Sequence, residues 1–304
     1  REREIPELIL TKNLAGMEID SRAAQIAELA LAMCAREHDR RFFRRGVRAD
    51  VTVLSSIPLG EDELPGNKKL AEELSHLGEI GSLLNPSEDE IDELKAAAAS
   101  CSDDLFASAT KTKLESAAVI CEKLSRRFTC VVANPPYMGS SGFNPFMSKW
   151  VKKNYPDVKS DLFSSFIVRI MDFAGEHGEI GMMTPFVWMF IGSYEKLRNR
   201  LIDDKTLTTL IQLEYSGFAG ATVPVCTFSY HNSHIDGYKG RICSSCRFYW
   251  PRGSGSQGAG GNPKPRLWLV LPSRRGHLQT NPRHPHSLLV GGWAIGGLFL
   301  RTIY

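Results

Sequence analysis

The sequence predicts an α/β fold with a mostly parallel sheet, and three observations carry this prediction. Short β-branched and apolar runs alternate with longer helical stretches over the first 228 residues. The 304-residue chain is 42% hydrophobic and 23% charged, a globular composition that excludes a collagen-like, coiled-coil or wholly disordered protein. The longest apolar run, residues 287–300, is too short to span a bilayer and contains four glycines, so no membrane span is expected.

The first predicted elements are a strand, a capped helix and a second strand. Residues 14–20 predict a short buried strand that ends in acids, followed by an Ala- and Leu-rich helix from Ser21 to about Glu37. Asp20 or Ser21 can cap this helix, because either side-chain oxygen can accept hydrogen bonds from the free N–H groups of the first turn. The β-branched residues 51–54 predict the second strand.

A polar stretch separates these strands from the next. Residues 58–126 contain two amphipathic patterns, at 88–99 and 110–124, and predict a helical insertion with a solvated face. The clearest strand of the chain then follows at 128–133, and we expect it to be buried. The remaining predicted elements are an apolar helix at 161–173, a buried strand at 179–184, a short helix at 194–201, and strands at 207–213 and 223–228.

Charge divides the chain near residue 228. Residues 229–304 hold ten Lys and Arg against one acid, Asp236, whereas the preceding residues have a net charge of −6. The predicted organisation is part of a cofactor-binding half at 1–57, the helical insertion at 58–126, a catalytic half at 127–228 and an irregular basic tail at 229–304. The loss of acids and the gain of Arg, Pro, Gly and Ser in the tail suggest a shifted reading frame.

Cysteine usage predicts the compartment. Seven cysteines, an odd number without framework spacing, indicate reduced thiols and a cytoplasmic location. The chain begins Arg-Glu-Arg-Glu, so no signal peptide is expected. Cys243 and Cys246 have the spacing of zinc ligands, but no second pair follows at a suitable distance, and no metal site is predicted.

The most informative motif is Asn134-Pro135-Pro136-Tyr137, directly after the strand at 128–133. One interpretation is a turn in which two prolines end a strand; another is a proline-rich ligand, which should lie in an exposed, polar segment. A third interpretation is that these residues bind a substrate. An Asn side-chain carbonyl and a proline-fixed main-chain carbonyl can both accept hydrogen bonds from an exocyclic –NH2 group, while an aromatic ring stacks on the base.

Asn134 to Tyr137 resembles the NPPY motif of S-adenosylmethionine-dependent N6-adenine DNA methyltransferases. The resemblance implies a Rossmann-like methyltransferase core that binds S-adenosyl-L-methionine. Asn134 and the Pro135 carbonyl would orient the adenine amine, and Tyr137 would stack on the base. Double-stranded DNA is the implied partner, and the target base must leave the duplex because its reacting atom lies within the stack.

Weaker matches extend the resemblance. Gly16-Met17-Glu18-Ile19-Asp20 is similar to the family segment whose Glu binds the ribose of the methyl donor, although a strand-end acid also commonly caps a helix. Asp161-Leu162-Phe163 resembles the segment that borders the donor pocket; an N-capped core helix explains it equally well. Phe218 resembles the aromatic residue that packs on the other face of the flipped base, and a plain core residue is the alternative.

The motif order is most similar to the large methyltransferases of BREX phage-defence systems (the PglX type), followed by restriction-modification enzymes. Other proteins of such a defence system are further implied partners. The family's glycine-rich turn after the first strand is absent before Leu14, and no target-recognition region follows Phe228. A fragment is therefore expected. Two alternatives stay open: methylation of a protein glutamine or an RNA base, and an inactive remnant that binds DNA or a partner protein.

Overall fold

The computed structural model describes residues 4–60, 62–102, 105–213, 223–246, 268–272, 280–281 and 284–288. The fold is α/β, and the chain divides between Arg126 and Arg127 into two compact units. In the described residues, none of the helices is long and apolar enough to cross a membrane. The finer boundaries expected at residues 57 and 228 stay a prediction.

The first unit combines a two-stranded parallel sheet with helices. Its strands are β1 (Ala15–Glu18) and β2 (Asp50–Val53). Its α-helices are α1 (Ile5–Leu8), α2 (Ser21–His38), α3 (Lys68–Ser75), α4 (Leu77–Ile80), α5 (Glu88–Ser100) and α6 (Leu105–Ser125).

Local capping explains where the helices of this unit begin. The Asp20 carboxylate accepts hydrogen bonds from the N–H groups of Arg22 and Ala23, so the expected cap of α2 is present. Ser87 and Glu90 form a reciprocal capping box at the start of α5.

The second unit is built around a six-stranded sheet. Its helices are α7 (Pro145–Asn154), α8 (Leu162–Phe173) and α9 (Glu195–Asp203). The strands are β3 (Phe128–Ala133), β4 (Ala174–Pro185), β5 (Thr206–Leu213), β6 (Val225–His231), β7 (Lys239–Cys246) and β8 (Trp268–Pro272), in the order β3-β4-β6-β5-β7-β8. A separate antiparallel pair consists of β9 (Thr280–Asn281) and β10 (His284–Leu288).

The sheet is mixed, so the prediction of a mostly parallel sheet is wrong. β3 pairs with β4, and β5 with β7, in parallel; β6 is antiparallel to both of its neighbours, β4 and β5, and β8 is antiparallel to β7. Parallel neighbours require a crossover of a dozen or more residues, commonly a helix, whereas an antiparallel neighbour needs only a short return. Eleven residues lie between β5 and β6, fewer than a crossover between parallel neighbours requires.

The core of the second unit lies where α8 covers the sheet. Phe163, Ile167 and Ile170 of α8 are buried. Phe228 and Tyr230 of β6 are also buried, and the Tyr230 hydroxyl donates to the carbonyl of Ile167 at 3.4 Å. The apolar stripe of α8 is thereby fixed against the middle of the sheet, which sets the position of the helix's N-terminus.

Two further expectations differ from the structure. β3 is not a buried strand: it lies at one edge of the sheet, and Val132 is 79% exposed. An apolar run predicts that both faces of a strand are buried. Successive side chains point to opposite faces of the sheet, however, so both faces are buried only where other elements pack on each of them. The segment after residue 228 is also not irregular throughout, because β6 continues to His231 and β7 follows.

A substitution of Asp50 should test the ion pairs that join the end of α6 to the two-stranded sheet of the first unit. Lys123 and Arg126 contact the Asp50 carboxylate at 2.7 and 2.8 Å. Partial burial alone would raise the pKa of Asp50, but these two cations lower it overall. A lowered folded-state pKa stabilises the protein above the unfolded pKa, and this contribution is lost as the pH falls through the folded value.

We therefore expect Asp50→Asn to lower the free energy of unfolding by roughly 1 kcal/mol at pH 7, and the difference to shrink as the pH falls below about 4. Urea denaturation at both pH values measures this. The exposed Glu115 of α6 provides the control, since Glu115→Gln should change stability little at either pH. A difference that persists unchanged in acid would contradict the electrostatic explanation.

Candidate active site

The Asn134–Tyr137 motif forms a loop at the carboxyl end of β3. Asn134 directly follows the strand and is exposed, Pro135 is buried, and Tyr137 is 38% exposed. Because β3 and β4 are parallel, the carboxyl end of β4 lies at the same edge of the sheet. The loop therefore presents an amide and an aromatic ring at the carboxyl ends of the two strands. Neither a proline-rich ligand nor a simple turn would require these two side chains at that position.

The Tyr137 hydroxyl fixes the orientation of the Asn134 side chain. It lies 3.0 Å from Asn134 Oδ1 and 3.3 Å from the carbonyl oxygen of Met183, so the two acceptors share its one proton in a three-centre hydrogen bond. Partial burial, with a smaller contribution from Cys226, raises the pKa of Tyr137, so the phenol is neutral and remains a donor near pH 7. Oδ1 keeps a second lone pair for another donor.

Main-chain bonds close the other side of the loop. The Ser140 N–H donates to the Ser160 carbonyl and the Leu162 N–H to the Met138 carbonyl, both at 2.9 Å. Gly139 and Asp161 form an isolated antiparallel bridge between these bonds. The residues after Tyr137 are thereby attached to the N-terminus of α8.

Asp161 is the N-cap of α8. Its Oδ1 accepts a hydrogen bond from the Phe163 N–H at 3.2 Å. Burial raises the pKa of Asp161, although the nearby N–H groups of Phe163, Met138 and Leu162 act in the opposite direction. The structure thus gives Asp161 the capping role that the sequence allowed; its predicted contact with the methyl donor stays a prediction.

Glu18 belongs to the first unit and is half-buried at the end of β1. Its Oε1 accepts hydrogen bonds from the N–H groups of Ile19 and Asp20, at 2.8 and 3.0 Å. Its own carbonyl accepts from Leu54 at 2.7 Å, which anchors the strand end. Both of these side-chain bonds use Oε1, so Oε2 stays available to accept a hydrogen bond.

A buried polar cluster lies behind the motif, at the end of β4. The Trp188 indole N–H donates to Thr184 Oγ1 at 3.2 Å, and Cys226 Sγ lies 3.8 Å from the same oxygen. All three side chains are buried. Burial raises the pKa of Cys226 to about 11, so its thiol is protonated at neutral pH and is no nucleophile.

The structure brings together only some of the predicted site residues. Asn134, Pro135, Tyr137 and Asp161 share one end of the second unit, on two loops joined by main-chain bonds. Phe218 lies outside the described residues. Within the part of the chain that the structure describes, the His, Cys, Asp and Glu side chains form no group of three that could hold a metal ion.

The sequence analysis missed two groups that hold the Asn134–Tyr137 loop, the carbonyl of Met183 and the main chain of Met138. The position of Met183 could have been predicted. The sequence places a helix between β3 and the strand at 179–184, and two strands joined by such a crossover are parallel, so their carboxyl ends lie side by side. For Met138 the sequence has no such signal, because its contribution comes from backbone groups that every residue other than proline carries.

Substituting Thr184 should test the buried cluster. Thr184→Val keeps the shape of the side chain but leaves the Trp188 indole N–H without its acceptor, which we expect to cost about 1–3 kcal/mol of folding free energy. Urea denaturation followed by tryptophan fluorescence measures this. The same change at the exposed Thr129 of β3 is the control and should shift stability by less than about 0.5 kcal/mol. An equal change in the free energy of unfolding at the two positions would show that the buried hydrogen bond of Thr184 does not stabilise the fold.

Comparison with known proteins gives consistent matches. Residues 12–218 match the family model described as "Eco57I restriction-modification methylase". The chain is 31% identical to the adenine-specific methyltransferase BrxX of Escherichia coli O9:H4 (strain HS), over 79% of this chain and 23% of BrxX. It is 32% identical to the adenine-specific methyltransferase PglX of Lacticaseibacillus casei (strain Zhang), over 66% of this chain and 18% of PglX.

The chain thus spans about a fifth of the length of these curated relatives. Among solved structures, it is similar to the ATP-dependent Type ISP restriction-modification enzyme LlaBIII bound to DNA. The TM-score is 0.46 at 11% identity, and the match covers 78% of this chain and 15% of LlaBIII.

Proposed function

We propose, from the premise that this chain belongs to the Eco57I restriction-modification methylase family, that it carries the catalytic site of a DNA adenine N6-methyltransferase. The observation that supports the proposal most directly is the loop after β3, where Asn134 Oδ1 is exposed and held by the Tyr137 hydroxyl. The fold in which this loop stands is accordingly the Rossmann-like methyltransferase core.

The acceptor groups of the loop suit an exocyclic amine. The –NH2 group of adenine has two protons, and Asn134 Oδ1 and the Pro135 carbonyl would each accept one. Two accepted hydrogen bonds localise the lone pair on the nitrogen and aim it at the incoming methyl group. The prolines at 135 and 136 restrict φ, so the two acceptors are positioned before the substrate arrives.

Tyr137 would hold the base after it has left the duplex. The residue is 38% exposed beside Asn134, and its ring would stack on the base. Phe218 is the proposed contact for the opposite face of the base. No side chain is required as a base in this scheme, since the methylated amine can release its proton to solvent.

S-adenosyl-L-methionine is the proposed methyl donor, and it supplies the electrophilic methyl group when bound. Glu18 fits its ribose: the carboxylate is fixed at the end of β1 by two N–H groups through Oε1. Asp161 borders the proposed donor pocket at the start of α8. These roles rest on the resemblance and on the positions of the two acids.

Double-stranded DNA is the proposed substrate, in phage defence or restriction-modification. The curated relatives BrxX and PglX are named adenine-specific methyltransferases, which supports adenine as the target base. Other proteins of the defence system are proposed partners, and the cytoplasmic location expected from the cysteine content stays a prediction.

Replacing Asn134 should remove methylation without unfolding the protein. Asn134→Ala deletes an acceptor that is needed as positive charge develops on the amine, so we expect kcat to fall at least about 100-fold. The assay is transfer of labelled methyl groups from S-adenosylmethionine to unmethylated bacterial DNA by the full-length protein. Mass spectrometry of the nucleosides then identifies N6-methyladenine.

The control for this experiment is Asn199→Ala, an exposed position on α9, which should leave kcat unchanged. Full activity of Asn134→Ala would refute its role. Methyl transfer to RNA or to protein glutamine, with none to DNA, would favour an alternative substrate. Native protein without any transfer would indicate an inactive remnant.

Replacing Glu18 should separate donor binding from chemistry. Glu18→Gln keeps an oxygen for the N–H groups of Ile19 and Asp20 but removes the charge that ribose hydroxyls would contact. We expect the Kd for S-adenosylmethionine to rise about tenfold, corresponding to a charge-assisted hydrogen bond. Isothermal titration calorimetry measures this, and Asn134→Ala should bind the donor normally in the same assay. An unchanged Kd in Glu18→Gln would contradict the assignment.

A further inference from the structure

Helix α7 has one apolar face and one face of lysines. Three of its side chains are buried and hold the helix in place: Met147, Trp150 and Val151. Lys149, Lys152 and Lys153 are exposed and stand three and four residues apart, so the helical turn places them side by side on the opposite face. A row of three cations therefore faces outward from a helix that its apolar face already fixes.

The lysine row has no partner among the residues that the structure describes, where its members form neither a hydrogen bond nor an ion pair. The single acid between residues 141 and 159 is Asp157, and its carboxylate is already paired with Lys196 at 2.6 Å. A fourth exposed lysine, Lys159, directly precedes Ser160. This segment thus presents a positive charge that no described side chain neutralises.

The fold does not explain the whole row. Like charges three and four residues apart repel each other and destabilise a helix slightly. Lys152 and Lys153 lie in the last turn, where the helix dipole favours cations. Lys149 lies in the middle of the helix and has no such benefit. A binding role accounts for all three positions together.

The lysine row belongs to a segment that begins and ends at the candidate catalytic loop. Main-chain bonds join residues 138–140 to residues 160–162, so residues 141–159 leave the loop and return to it. Helix α7 has ten residues and is about 15 Å long, a length that corresponds to about four or five base pairs of DNA. The row therefore lies within a few base pairs of a target base held by the loop.

We propose that Lys149, Lys152 and Lys153 form a phosphate-contact surface, which holds the DNA backbone beside the candidate catalytic loop. Neighbouring Cβ atoms of the row are about 5–6 Å apart, and phosphates follow every ~3.4 Å along the axis of one DNA strand. The row thus matches about two or three successive phosphates. Such contacts position a duplex without reading its sequence, and they hold the backbone while the base leaves the stack. The inference rests on the proposed function for the choice of DNA as the polyanion.

Replacement by glutamine separates charge from helix structure. Gln has nearly the same helix propensity as Lys, so Lys149→Gln removes a charge and keeps α7 intact. Lys239→Gln is the matched control, because Lys239 is an exposed lysine of the same unit that also lacks a described partner. It begins β7, which runs in the same direction as β4, and so it lies at the end of the sheet opposite the catalytic loop.

The salt dependence of DNA binding tests the proposal. Fluorescence anisotropy measures the Kd of the full-length protein for a labelled duplex of about 30 base pairs, between about 50 and 200 mM NaCl. The slope of log K against log salt changes by about 0.9 for each phosphate contact. We expect it to become less steep by about 0.9 in Lys149→Gln and by about 1.8–2.7 when all three lysines of the row are changed to Gln. Lys239→Gln should leave the slope unchanged.

Two further measurements separate charge and position from structure. Changing all three lysines of the row to Arg should preserve the slope, because phosphate contacts keep their charge. In the triple Gln variant the KM for DNA should rise, while kcat at saturating DNA stays within about twofold of native. Circular dichroism reports whether the variants are folded. If the triple Gln variant unfolds, Lys149→Gln and the triple Arg variant still decide.

Several results would overturn the proposal. A native slope in the folded triple Gln variant would remove the surface, and so would a native protein that does not bind the duplex. An equal loss in Lys149→Gln and Lys239→Gln would indicate an effect of net charge alone. Binding of double-stranded RNA but not of DNA would assign the surface to RNA. If the slope changes as expected but no methyl group is transferred, the proposed function falls and the phosphate-contact surface stands.

Discussion

The parallel pairing of β3 with β4 is the constraint on which the site depends. Register places Ala133 opposite Met182, so Asn134 and Met183 come next on adjacent strands at the same edge. The two helices between the strands, α7 and α8, provide the long crossover that a parallel pair requires. Antiparallel pairing would put the end of β4 at the opposite edge, away from the Tyr137 hydroxyl.

Once the strands are paired, the loop after β3 is held from two directions. Tyr137 joins it to the end of β4, and main-chain bonds join residues 138–140 to the start of α8. The phenol remains protonated at neutral pH because burial raises its pKa, so the first attachment does not titrate away near pH 7. The consequence is an amide oxygen in a defined orientation, which in the proposed reaction would need no reorganisation when the adenine amine binds.

Elements with strong local signals could be predicted from the sequence. Helix α2 begins after the expected cap Asp20, and α5 after Ser87, where a Glu three residues later completes the capping box. A readable signal was missed at α7, since Asn144 caps the helix and Pro145 occupies its first turn. The Gly- and Ser-rich stretch before Asn144 indicated a loop, although an Asn cap followed by Pro is typical of the first residues of a helix.

The sequence by itself determined the α/β class, most element positions and the residue types of the candidate site. Periodicity, caps and a four-residue motif are local properties, and neighbouring residues suffice to establish them. Only the tertiary structure decided that β3 is an edge strand, that β6 is antiparallel, and that residues 138–140 are bonded to residues 160–162. These features depend on which strands pair and on main-chain groups, and main-chain groups are nearly the same in every residue. Their bonds follow from where the chain returns in space, which no local pattern encodes.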